Sequence, residues 1–202
     1  MLDKGPDPIP PFSYTRELRT VEATHQMARL LAPLLRSGDM VTLSGTLGSG
    51  KTAFARALIR ILAQDGLMDV PSPTFTLLQI YDTPTMAVVH ADLYRINDPD
   101  ELEELGWDEA AQDALMLVEW PDRLGSLTPA NRLDLEFTFS AEDNDIRHLT
   151  VTGHGEWALR LKSFHNLQDF LERSGYATAR RIPIQGDASS RAYERLEMDG
   201  TS

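Results

Sequence analysis

The chain has 202 residues, 42% apolar and 25% charged, so at about 150 residues per domain it holds one globular domain and a remainder, and is neither disordered throughout nor fibrous. Lys and Arg number 19 against 31 Asp and Glu, a formal charge of −12 that repels phosphate backbones and argues against autonomous nucleic-acid binding. With no cysteine, disulfides, thiolate metal sites and cysteine nucleophiles are excluded together.

Residues 1–14 read as a flexible leader: Pro6, Pro8, Pro10 and Pro11 stand among few large apolar groups. This leader has no basic-then-apolar export pattern, and no later run approaches the ~20 apolar residues of a membrane span. A cytoplasmic protein without membrane contact is expected. From Leu18 to Arg36 the apolar residues recur at helical spacing, with Pro33 set to kink or divide the helix. Met40 to Ser44 is a short apolar run between turn residues, and Lys51 to Gln64 resumes helical spacing, giving strand, loop and helix. Phe75 to Tyr81, Met86 to His90 and Leu115 to Glu119 read as strands, with an acidic helix from about Asp100 to Asp113 before the last. Leu133 to Phe139 and Ile146 to Thr152 flank a polar turn and predict a hairpin, followed by a short helix over Asn166 to Arg173. The expected class is α/β, a mixed sheet flanked by helices, with the main domain over residues 15–172.

Chemistry concentrates in Gly45-Thr46-Leu47-Gly48-Ser49-Gly50-Lys51-Thr52, a complete G-x-x-x-x-G-K-T between a predicted strand and a predicted helix. Glycines let successive backbone N–H groups turn inward around a polyphosphate, and the following helix adds the positive end of its dipole. Lys51 is expected to reach the β- and γ-phosphates, and the Thr52 hydroxyl to ligate Mg²⁺. Hydrolysis also needs carboxylates to serve the metal and orient water. Asp92 and Glu119 follow apolar runs and stand where strand ends bind ligands in open α/β sheets. We assign Asp92 to the Mg²⁺ environment, and Glu119 to the Mg²⁺ shell or to positioning the water. Trp120, beside Glu119, lies near any nucleotide bound at these strand ends, although it and Trp107 also suit core or interface roles. Asp100, Glu101, Glu103, Glu104, Asp108 and Glu109 read as a solvated or docking face. The segment Pro71-Ser72-Pro73-Thr74-Phe75 offers two hydroxyls to a γ-phosphate as a switch, or is a rigid loop. His90 at the end of an apolar run suits a hydrogen-bonded core histidine better than a base or metal ligand, and no second histidine stands at zinc spacing.

Five motifs agree in order and spacing: Gly38-Asp39, Leu47 to Thr52, Ser72-Pro73-Thr74-Phe75-Thr76, His90-Ala91-Asp92-Leu93-Tyr94-Arg95 and Glu119-Trp120-Pro121. Over about Thr15 to Leu161 the chain resembles the bacterial ATPase subunit of tRNA threonylcarbamoyladenosine biosynthesis, TsaE type, departing from it at Ser49, where that family commonly has alanine. The resemblance implies a P-loop NTPase-like fold, an ATPase domain over residues 15–172, and Mg²⁺-dependent ATP hydrolysis with Lys51, Thr52, Asp92 and Glu119 at the functional positions and Thr46 in the nucleotide loop. It also implies partners, transferase subunits of TsaD and TsaB type that modify adenosine 37, with tRNA reached only through the complex. A P-loop small-molecule kinase and a nucleotide-gated binding module without significant turnover remain as alternatives.

Residues 173–202 form a different tail, in which arginines outnumber acidic residues. Gly186-Asp187-Ala188-Ser189-Ser190-Arg191-Ala192-Tyr193 is similar to the beginning of aminoglycoside-phosphotransferase-like kinases. Since the catalytic loop and metal-binding aspartate of such kinases are lacking here, we expect the poorly ordered start of a truncated fusion, without kinase activity.

Overall fold

The computed structural model describes residues 8–143, 145–176, 179–184 and 193–198. The chain divides into two compact units, Met1–Leu161 and Lys162–Ser202. The first begins before, and ends short of, the 15–172 span expected for the ATPase domain.

Seven strands form one mixed sheet: β1 (Phe12–Leu18), β2 (Met40–Gly45), β3 (Leu78–Asp82), β4 (Ala87–Asp92), β5 (Ala114–Glu119), β6 (Arg132–Phe139) and β7 (Arg147–His154), in the order β1-β7-β6-β2-β5-β4-β3. The four inner strands β6, β2, β5 and β4 run parallel, β7 and β3 add to them antiparallel, and β1 pairs antiparallel with β7 and so runs in the direction of the inner strands. All six residues of β5 are buried, as a central parallel strand covered on both faces requires. On one face Val41, Leu43, Leu115, Leu117, Leu133 and Leu135 line up across the register, and α2 (Lys51–Ala63) brings Phe54 to within 5.8 Å of the Phe137 ring. On the other, Val89, Ala91, Met116 and Val118 pack with Leu102 of α3 (Asp100–Glu104) and Trp107 of α4 (Trp107–Gln112). Beyond β2 that second face turns polar, and Thr42, Asp134, Thr150, Thr152 and His154 line an open cleft of about 350 Å³.

Several elements depart from the sequence reading. The leader read to residue 14 already belongs to the sheet from Phe12, because Phe12 to Leu18 pair with Gly153 to Arg147 on β7. Residues 1–7 lie outside the described part. Leu18 closes that strand, and α1 (Val21–Leu31) starts only after Thr20, whose hydroxyl accepts the Ala23 N–H at 3.1 Å. Pro33 sits in a 3₁₀ turn, Ala32–Leu34, where its missing N–H costs nothing. The strand expected from Phe75 starts at Leu78, because the backbone turns first: Leu77 has φ +64° and donates to the Pro73 carbonyl at 2.7 Å. The acidic helix is two helices, separated at Gly106 with φ +73°. The final helix, α5 (Glu156–Arg173), begins ten residues before the expected Asn166.

In the second unit β8 (Arg180–Ile184) and β9 (Tyr193–Glu197) pair antiparallel, where a poorly ordered tail was expected. Backbone pairing supplies order there that composition does not reveal. Residues 186–192 of the kinase-like motif lie outside the described residues. No helix among the described residues is long and apolar enough to cross a membrane.

Candidate functional site

The parallel strands β2, β4 and β5 end side by side at Gly45, Asp92 and Glu119, and Asp92 and Glu119 are direct register partners. Carboxyl ends of parallel strands are where open α/β sheets present ligand-binding loops. From β2 the chain passes into residues 46–50 and then α2, whose N-cap is Gly50.

Glycine is required in this loop. Gly45, Gly48 and Gly50 have φ of +132°, +76° and +114°, a region that disfavours any residue with a Cβ. At Gly45 a Cβ would also stand 2.3 Å from the Phe137 carbonyl oxygen. Ser49 is 1% exposed, and its Oγ has no hydrogen-bond partner among the described residues. That hydroxyl faces inward, toward Gly45, so what the loop offers an acceptor-rich group such as phosphate is its backbone, turned by glycines at the start of α2.

Lys51 folds over this loop. Its Nζ donates to the carbonyls of Gly45 at 2.8 Å and Thr46 at 3.0 Å, and sits 4.0 Å from the centre of the Trp120 ring. Burial pulls its ammonium below the ordinary value of 10.5, against the charges of Glu119 and Asp92, which raise it. Trp120 holds φ +61°, rare for a side chain of this size, and its ring also lies 5.1 Å from Tyr94.

The two carboxylates have different surroundings. Glu119, 2% exposed, accepts the Thr52 hydroxyl on Oε2 at 2.9 Å and stands 3.0 Å from His90 Nε2 through Oε1. Asp92, 4% exposed, accepts the hydroxyls of Ser72 and Thr74 on Oδ2 and the Tyr94 N–H on Oδ1. The Ser72 and Thr74 hydroxyls, read either as reaching a γ-phosphate or as part of a rigid loop, are thus tied to Asp92, and this ties the 71–76 loop to the end of β4. Leu47, Gly48, Gly50, Lys51, Thr52, Asp92, Glu119 and Trp120 line one cleft of about 470 Å³. Thr46 and Trp120 line a second, of about 480 Å³, with Phe137 and Phe139. Every predicted site residue except the inward-facing Ser49 therefore borders one of these two clefts. A hydroxyl and two adjacent carboxylates suit a hard cation that keeps several waters and shares phosphate oxygens, as Mg²⁺ does.

Two residues that the sequence left undecided acquire definite places. His90 is fully buried against Glu119. Asp39 of the Gly38-Asp39 motif lies away from the clefts, where it accepts from the Arg36 N–H, Trp157 Nε1 and Arg160. It fastens the start of α5 to the start of β2, a contact between residues more than a hundred positions apart that local pattern cannot reveal.

The family profile described as "Threonylcarbamoyl adenosine biosynthesis protein TsaE" matches residues 18–149. A tRNA threonylcarbamoyladenosine biosynthesis protein TsaE from Rickettsia conorii is 38% identical over 174 residues, covering 85% of this chain and 94% of the relative. The protein of that name from Streptomyces coelicolor is 40% identical over 141 residues, with 66% and 93% covered. The crystal structure of Bacillus subtilis YdiB superposes with a TM-score of 0.65 at 25% identity, covering 79% of this chain and 99% of YdiB.

Proposed function

The chain belongs to the TsaE family of tRNA threonylcarbamoyladenosine biosynthesis proteins, and on that premise we propose that it is the family's Mg²⁺-dependent ATP hydrolase. In this role it supports threonylcarbamoylation of adenosine 37 by partner subunits of TsaD and TsaB type in the cytoplasm. The observation that carries the reading is the bond from the Thr52 hydroxyl to Glu119 at 2.9 Å. Donating its hydrogen to a buried carboxylate leaves the threonine oxygen's lone pairs directed outward, the state in which it can ligate a cation.

The residues divide the work accordingly. Backbone N–H groups of residues 46–51 and the start of α2 bind the phosphates, and Lys51 leaves the carbonyls of its own loop to neutralise them. Thr52 and Asp92 would hold Mg²⁺, with Glu119 behind Thr52 and facing the water. When bound, Mg²⁺ supplies charge neutralisation on the phosphate oxygens. Asp92 transmits occupancy of the site to the 71–76 loop through Ser72 and Thr74, a route by which nucleotide alters affinity for partner subunits. Trp120 and Phe139 offer aromatic faces beside Thr46 to the purine.

The arginines speak against a small-molecule kinase, which closes cationic groups over the phosphates. Arg56 and Arg60 of α2 donate through Nε to the carbonyls of Val70 and Met68, and Arg95 stacks on Phe75. The acidic balance suits docking on proteins rather than on RNA.

The test is threonylcarbamoyl transfer to tRNA over many turnovers with purified transferase subunits, ATP and Mg²⁺, comparing the parent chain, its omission and Lys51→Ala. Turnover sustained by the parent alone supports the reading. No difference with active partners refutes it, and turnover without ATP consumption favours the binding module.

A further inference from the structure

Glu119 is a carboxylate in a nearly dry place, 2% exposed at the end of β5. The terminal torsion of a glutamate is broad, so a lone buried carboxylate would be free to swing toward Lys51, on whose ammonium the charge of Glu119 acts. Two donors oppose that swing from opposite sides. Thr52 of α2 holds Oε2 at 2.9 Å, and His90 of β4 holds Oε1 at 3.0 Å.

His90 is suited to the task by its own confinement. It is wholly buried, and its backbone is fixed between Gln79 of β3 and Leu117 of β5. With Nε2–H directed at the carboxylate, Nδ1 has no hydrogen-bond partner among the described residues. A histidine kept only to fill the core would be replaceable by an apolar side chain that leaves no buried nitrogen unpaired. Among the described residues, the one polar contact this ring makes is to Glu119.

We propose that His90 is the positioning residue of the hydrolytic site: it clamps Glu119 so that its second oxygen faces Thr52 and its remaining lone pairs face the cleft. This inference rests on the ATPase reading above. His90 touches neither nucleotide nor water, and acts only through Glu119.

The test compares the parent chain with His90→Leu, His90→Gln, Glu119→Gln and the His90→Leu/Glu119→Gln double variant. It uses steady-state ATP hydrolysis, and fluorescent-nucleotide titrations with Mg²⁺ and with chelator. His90→Leu is expected to keep metal-free nucleotide affinity within about twofold, while kcat and the tightening of nucleotide by Mg²⁺ each fall about tenfold or more. His90→Gln, whose amide nitrogen reaches the place of Nε2, recovers most of both. In the Glu119→Gln background, His90→Leu costs nothing further, because the group it positions is already gone. Parent-like kcat and Mg²⁺ response in a folded His90→Leu variant overturn the proposal, as does a His90→Gln variant no better than the leucine, or additive losses in the double variant. Should His90→Leu fail to fold, His90→Asn replaces it: its shorter amide cannot reach Glu119, and rates equal to those of His90→Gln overturn the assignment. A parent chain that neither hydrolyses ATP nor couples Mg²⁺ to nucleotide binding overturns the ATPase reading and this inference together. An active parent with indistinguishable variants overturns the role of His90 alone.

Discussion

Exchanging Thr52 for valine keeps the branched shape of the side chain and removes a single hydroxyl, a change that is isosteric without being chemically conservative. That hydroxyl donates to Glu119 Oε2 at 2.9 Å, while His90 holds Oε1. In the valine variant one oxygen of a carboxylate only 2% exposed loses its donor. An unsatisfied buried acceptor costs about 1–3 kcal/mol, which in a domain of this size lowers the melting temperature by roughly 2–12 °C. The Thr52 hydroxyl oxygen that is removed is also the proposed cation ligand, so the variant loses two things at once. Metal-free nucleotide affinity, set by the loop backbone and Lys51, stays within about twofold of the parent, and the tightening produced by Mg²⁺ disappears. Thr52→Ser, which restores the hydroxyl, recovers both. The assays are urea denaturation without nucleotide and fluorescent-nucleotide titration with Mg²⁺ or with chelator. A valine variant as stable as the parent, or one in which Mg²⁺ still tightens nucleotide, refutes the link between Thr52 and Glu119.

Glu119→Gln is expected to retain ATP binding and slow hydrolysis, since the amide offers one acceptor where the carboxylate offers two; undiminished single-turnover hydrolysis removes its catalytic role. Asp39→Ala leaves the buried Trp157 Nε1–H without its acceptor, while the part-buried Arg160 loses its counter-charge and keeps the Leu34 carbonyl. Leaving a buried donor unpaired costs about 1–3 kcal/mol, to be read in urea melts, with little effect on nucleotide affinity if the protein is held folded. Gly45→Ala drives a Cβ to 2.3 Å from the Phe137 carbonyl at φ +132°; it lowers stability by more than about 2 kcal/mol and weakens nucleotide binding with and without Mg²⁺. Burial pushes the Tyr14 hydroxyl from 10.0 up to about 12, against the opposing charge of Arg16. Because the neutral form is favoured in the folded chain, that stabilisation is complete below pH 10 and lost as the pH rises toward 12. Urea melts across this range should fall less steeply for Tyr14→Phe than for the parent.

The parts legible in the sequence are those whose physics is local. A G-x-x-x-x-G-K-T loop announces itself because residues 45–52 must turn in sequence around one ligand, and the strand before it and helix after it follow from apolar spacing over a few residues. Asp92 and Glu119 were legible as polar residues ending apolar runs, and the fold places them as direct neighbours on β4 and β5. The first strand was missed because Ser13, Thr15 and Glu17 are exposed on an edge strand that β7 holds by backbone pairing, and pairing between residues so far apart leaves no local mark. The start of α5 escaped for a related reason: Trp157 and Arg160 are secured by Asp39 rather than by a local capping pattern.

The sequence by itself determined the chemistry available: a phosphate loop, an ammonium, a hydroxyl, two carboxylates and an aromatic ring, on an α/β frame with an acidic surface. Only the tertiary structure decided how the carboxylates divide, because that depends on which donors meet them across the ends of separate strands. Asp92 received the Ser72 and Thr74 hydroxyls and became a link to a loop. Glu119 received Thr52 and His90 and became a fixed acceptor beneath the cleft. Hydrogen-bond partners lying 18 to 67 residues apart in the chain meet only when the sheet register sets strand ends at one edge, and no periodicity in a single segment encodes that encounter.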